Sequence, residues 1–167
     1  MYTLTNRNGT ALSVCTYGGH VQDTQFIGAL IGRCSNRIAG GKRCIHGREY
    51  QLECNNGRNY LHGGTWMGFH KKLWQAGETA EGLKLTYTSP DGEENYPGTL
   101  QAAVWYDLSE DDAFSIRYEA MADADTICNL TNHTYFNLNG YDSGNVLQQL
   151  IQLFVYETAV LFVRDGF

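Results

Sequence analysis

The chain has 167 residues, 43% of them hydrophobic, which suits one domain over residues 1–167 with an ordinary core. Its formal net charge is −6 and the Lys and Arg residues are scattered, so no basic footprint for nucleic acid is visible. Eleven Tyr, seven Phe and three Trp beside nineteen Gly and only two Pro favour strands joined by tight turns.

The opening residues, Met1 to Arg7, hold no apolar run of signal-peptide length, so secretion is not supported. The five cysteines, Cys15, Cys34, Cys44, Cys54 and Cys128, are odd in number and include no Cys-x-x-Cys pair. That pattern argues against a zinc site or a disulfide framework and points to reduced thiols in a cytoplasmic protein. Alternation at strand spacing recurs in Leu12-Ser13-Val14, Leu83 to Tyr87 and Phe114 to Glu119. Ile45 to Leu52 reads as a hairpin, with His46-Gly47 supplying the positive φ of a tight turn. Ser109 to Asp112, between the apolar runs Leu100 to Leu108 and Ala113 to Ala122, reads as another. Short strands at this spacing, with no long 3.6-residue pattern, imply an all-β fold with mostly antiparallel strands.

Asn129 to Leu138 reads as a further strand, with Asn129, Thr131, His133, Tyr135 and Asn137 on one face. Hydrogen-bonding groups beside an aromatic ring suit a polyhydroxylated ligand, a sugar being the natural candidate. A solvated polar strand end is the plain alternative. Asn129-Leu130-Thr131 and Asn132-His133-Thr134 also match glycosylation sequons, which carry little weight without a secretory signal. From Val146 onward the pattern fits helix or strand about equally. Leu150 to Val163 is apolar but too short to span a membrane, and Gln152 and Glu157 interrupt it, so a membrane role is not expected.

Two more polar clusters are flanked by glycine: Gly32 to Gly41 and Asn55 to Gly64. Together and in order, Gly28-Ala29-Leu30-Ile31-Gly32-Arg33-Cys34-Ser35-Asn36-Arg37-Ile38-Ala39-Gly40-Gly41, Asn55 to Gly64, Gly68 to Trp74, Ser89 to Gly98 and Asn129 to Leu138 resemble the aldose 1-epimerase (galactose mutarotase) family. The similarity runs from about Leu4 to about Gly144 and corresponds to the N-terminal part of a family member. The resemblance implies a galactose mutarotase-like β-sandwich with a sugar groove across one sheet, and cofactor-free, metal-free interconversion of the α- and β-anomers of an aldohexose. It implies that His133 protonates the ring oxygen and that His62 hydrogen-bonds the sugar and polarises the same region. Arg37, with Asn36, Asn132 and Tyr135, would bind the substrate.

Two departures from the family pattern shape the expectation. Asp23-Thr24-Gln25 joins Tyr17 to Gln22 directly to Phe26 to Leu30, where the family has more sheet and loop, so the sandwich is expected to be incomplete. Phe167 precedes the family's later substrate-binding aspartate and its catalytic glutamate, so the domain reads as truncated, with an acid and no base. Glu157 is the one carboxylate in a nearby apolar run, but its spacing does not match that base. The expectation is weak or absent mutarotase activity, with a non-catalytic sugar-binding or self-associating remnant as the alternative. An unpaired sheet edge and the apolar tail make a homodimer plausible.

Overall fold

A computed structural model describes residues 1–19, 21, 26–80, 82–139, 142–147 and 161–163, the last three by backbone alone. Asp23 to Gln25 and residues 150–160 of the Leu150 to Val163 run, Glu157 among them, lie outside the described residues.

The chain builds antiparallel β structure from short strands. Its largest sheet is a four-stranded meander of β6 (Gln75–Thr79), β7 (Gly82–Ser89), β8 (Leu100–Leu108) and β9 (Phe114–Ala122), in that spatial order. Along β8 the side chains alternate, and Leu100, Ala102, Val104 and Tyr106 are buried. This period of two turns one face of the sheet onto Val14, Leu30, Phe69 and Trp74, forming the main core. Each fully buried Leu contributes about 1.5–3 kcal/mol relative to exposure. A second core, around Ile38, Leu52, Tyr60, Tyr96 and Ile127, lies under the glycine-flanked loops.

Smaller antiparallel pairs complete the fold. β1 (Tyr2–Thr5) pairs with β2 (Ala11–Val14), and β4 (Lys42–Ile45) with β5 (Arg48–Gln51). β3 (Leu30–Ile31) pairs with β11 (Thr131–Asn132), and β10 (Thr126–Cys128) with β12 (Leu161–Val163). The turn between β4 and β5 is the expected one, His46 and Gly47 taking φ of 49° and 78°. Asp112, at φ 62°, closes the turn from β8 to β9. Its carboxylate accepts from Asn6, Asn8 and Thr10, tying the β1–β2 turn to that hairpin.

The strand read over Asn129 to Leu138 is much shorter than its alternation suggests. Only Thr131–Asn132 form β11, and the backbone ladder ends one residue later, where His133 N–H donates to Ala29 O and Gly28 N–H donates to His133 O. Gly28 makes the last backbone bond of this ladder among the described residues, and beyond it Tyr135, Phe136 and Leu138 are exposed. No helix among the described residues is long and apolar enough to cross a membrane.

Candidate functional site

The groove is assembled from two loops and a strand end. Ile38 and Tyr60 exchange backbone hydrogen bonds, each N–H donating to the other's carbonyl at 3.1 Å, which brings the Gly32 to Gly41 and Asn55 to Gly64 segments together. Asn55 braces the second loop, its amide donating to Leu61 O and its carbonyl accepting from Leu61 N–H, both at 2.8 Å. His62 follows at φ 55°, in the left-handed region that L-residues seldom occupy. Gly63 must be glycine: at φ 85°, an added Cβ would lie 2.1 Å from Gly32 O. Two carboxylates hold the loop beyond it, Glu53 accepting from Thr65 N–H at 2.6 Å and Glu94 from Met67 N–H at 3.0 Å.

Behind the first loop, Arg33 is 2% exposed with all its donors engaged. Nε donates to Ser89 Oγ, Nη2 to Ser89 O and Pro90 O, and Nη1 to Pro97 O and Thr126 Oγ1. Burial lowers its pKa while nearby Glu93 opposes that shift. Glu93 is itself buried, accepts from Tyr87 and Ser89, and pairs with Lys72 Nζ at 2.5 Å. The network clamps the strand ends that carry the groove-forming loop.

An open groove of about 340 Å³ results, lined by Ser35, Asn36, His62, Asn129, Thr131, Asn132, His133 and Thr134. His62 Nδ1–H donates to Ser35 O at 2.7 Å, which fixes the tautomer and leaves Nε2 as the lone-pair nitrogen. The His62 and His133 rings meet edge to face, centroids 4.8 Å apart and planes at 90°. Burial lowers the His62 pKa from its usual 6.5, and the nearby His133 and Arg37 lower it further against the raising effect of the Ser35 bond. His62 is therefore neutral at pH 7 and offers an acceptor to a hydroxyl. Ser35 Oγ donates to Asn129 Oδ1, joining the loop to the strand.

His62, His133, Asn36 and Asn132 thus share the groove. Asn132 also serves the scaffold, its amide donating to Gly28 O at 3.2 Å and Tyr106 OH at 3.4 Å. Tyr135 is not among the lining residues but stands beside them, its ring 5.3 Å from that of His133 and 63% exposed. Arg37 is exposed at the rim, its Nε donating to Asn56 Oδ1 at 3.3 Å, and does not line the groove. Sequence reading overlooked the Ser35 carbonyl and the Phe26 ring against His62, neither of which leaves a side-chain signature of its role. No carboxylate is among the lining residues, and the described residues contain no cluster of three or more His, Cys, Asp or Glu able to hold a metal.

The profile of the aldose 1-epimerase family matches residues 1–161. Galactose mutarotase from Bos taurus is 45% identical over 128 residues, covering 77% of this chain and 37% of that protein. Aldose 1-epimerase from Haemophilus influenzae is 36% identical over 136 residues, covering 81% of this chain and 39% of that protein. The crystal structure of galactose 1-epimerase from Lactobacillus acidophilus superposes with a TM-score of 0.73 at 30% identity, over 81% of this chain and 48% of that one. The chain therefore spans well under half the length of these curated relatives.

Proposed function

Because the chain belongs to the aldose 1-epimerase family, we propose that the His62–His133 groove binds an aldohexose and acts on its anomeric centre. The carrying observation is the pair of perpendicular imidazoles in a groove otherwise lined by hydroxyl and amide side chains. Sugar hydroxyls need such partners, and the exposed Tyr135 ring offers a flat surface for a C–H face.

In this reading His133 donates a proton to the ring oxygen as the C1 hydroxyl passes its own to solvent water in the open groove, so the C1–O5 bond breaks to the open-chain aldehyde. Rotation about C1–C2 and reclosure on the other carbonyl face give the opposite anomer, with the protons returned. Neutral His62 accepts a sugar hydroxyl at Nε2 and keeps the ring oxygen facing His133. Arg37, Asn36 and Asn132 bind further hydroxyls, Arg37 by swinging from Asn56. The ligands are aldohexoses such as galactose and glucose, bound without a cofactor, in the cytoplasm, and the whole chain acts as one domain.

The lining residues supply an acid and no carboxylate base. A positioned acid or base contributes about 10²- to 10⁴-fold each, so slow turnover is expected. That same observation favours a second reading, sugar binding without turnover. Polarimetry of freshly dissolved α-D-galactose separates the two. Acceleration over buffer that His133→Gln abolishes supports epimerisation. Equal rates for wild type, His133→Gln and buffer would sink it.

A further inference from the structure

Phe26 does not line the groove, yet its ring lies between two imidazoles. Its centroid is 5.3 Å from His62, with planes at 57°, and 4.8 Å from His70, with planes at 59°. His70 is 1% exposed, so Phe26 rests on the interior on one side and presses the groove imidazole on the other. The result is a continuous row of rings, His70, Phe26, His62, His133 and Tyr135, each contacting the next.

His62 needs that support. It occupies a left-handed turn outside any strand, and among the described residues its imidazole makes one hydrogen bond, to Ser35 O. A single bond along one ring edge leaves the plane free to tilt about it. His133 limits the tilt on one side and Phe26 limits it on another.

We propose that Phe26 is a positioning residue for His62, holding the imidazole edge-on to His133 with Nδ1 on the Ser35 carbonyl and Nε2 left for the sugar. The role of Nε2 rests on the sugar-site reading; the packing role does not. An aromatic ring against the imidazole also excludes water, in keeping with burial being the main cause of the lowered His62 pKa. The other titratable groups acting on His62 are His133 and Arg37, and both disfavour its protonation.

The test is an imidazole NMR titration of the full chain without sugar, on wild type, Phe26→Leu, Phe26→Ala and Phe26→Tyr. Leu keeps most of the volume without the flat face, Ala removes both, and Tyr preserves the ring. In wild type, nuclear Overhauser contacts between the Phe26 ring and the His62 imidazole are expected. The His62 midpoint should rise toward 6.5 in Leu and Ala and stay lowered in Tyr. Galactose affinity should fall about tenfold in Ala, the scale of one lost, well-oriented hydrogen bond. A merely structural role would lower the melting temperature without moving the His62 midpoint. An unmoved midpoint in folded Leu and Ala variants, or missing ring contacts in wild type, would overturn the proposal. If the midpoint moves while wild type ignores galactose, positioning stands and the sugar reading fails. If wild type binds galactose and the Leu and Ala variants match it in midpoint and affinity, positioning fails and the sugar reading stands.

Discussion

The imidazoles of His133 and His62 meet edge to face, planes at 90° and centroids 4.8 Å apart, and His133 disfavours a proton on His62. Protonating His62 beside His133 and Arg37 is unfavourable. Replacing His133 by Gln should therefore raise the His62 midpoint toward 6.5, read by NMR titration. An unchanged midpoint would mean that the two rings are not coupled.

The lowered His62 pKa also sets a pH dependence. The unfolded chain takes up the His62 proton near 6.5, whereas the folded chain does so only at lower pH. Its contribution to stability is thus present in full above about 6.5 and is lost as pH falls through the folded value. Wild type should lose more melting temperature than His62→Gln between pH 7.5 and pH 5, and its galactose affinity should weaken over the same interval. Parallel losses in the two proteins would count against the shift.

Gly63 and Gly57 give a paired test of the His62 loop. Gly63→Ala meets both a positive φ and the Gly32 carbonyl, so it should cost at least about 3 kcal/mol, combining backbone strain with overpacking. Gly57, at φ 61° with open space around it, should cost only about 1–2 kcal/mol on the same change. Urea unfolding measures both, and equal costs would show that the Gly32 approach is not tight.

The buried Arg33 network should be the costliest to break. Arg33→Met leaves Glu93 short of a neighbouring positive charge and strands the acceptors at Ser89, Pro90 and Pro97, a loss of about 3–5 kcal/mol. Arg33→Met and Glu93→Gln should be non-additive in the double variant, since each removes the interaction between the two charges, while Lys72 loses its carboxylate partner in either Glu93→Gln background; simple additivity of the two changes would argue against their coupling.

Exposed Tyr135, Phe136, Leu138 and Leu147 make self-association a further expectation. Sedimentation velocity at micromolar concentration should show a dimer that Leu138→Ser with Leu147→Ser returns to monomer. A monomeric wild type would remove that expectation.

The hairpin turns were legible because His46-Gly47 and Asp112 carry the backbone preference of a tight turn within the turn itself. The β8 alternation was legible for a similar reason, since its buried and exposed side chains follow one another directly. The length of β11 was not, because a strand ends where its partner does, and that partner lies at Gly28 to Ile31, far away in the chain. His62 and His133 were recognisable as motif residues, but their contact was not. It depends on the Ser35 carbonyl and the Phe26 ring, which tertiary packing brings in. Arg33 and Arg37 sit four apart in one polar cluster, and nothing local distinguishes the buried scaffold arginine from the exposed rim arginine.

Galactose titration of the full chain, followed by the imidazole signals of His62 and His133, tests the sugar site most directly. The exposed His46 on the β4–β5 turn serves as an internal reference. Saturable shifts at His62 and His133 with none at His46, lost in His62→Gln, are expected. Unmoved His62 and His133 signals at the highest soluble galactose concentration, or shifts equal to those of His46, would contradict a sugar site in this groove.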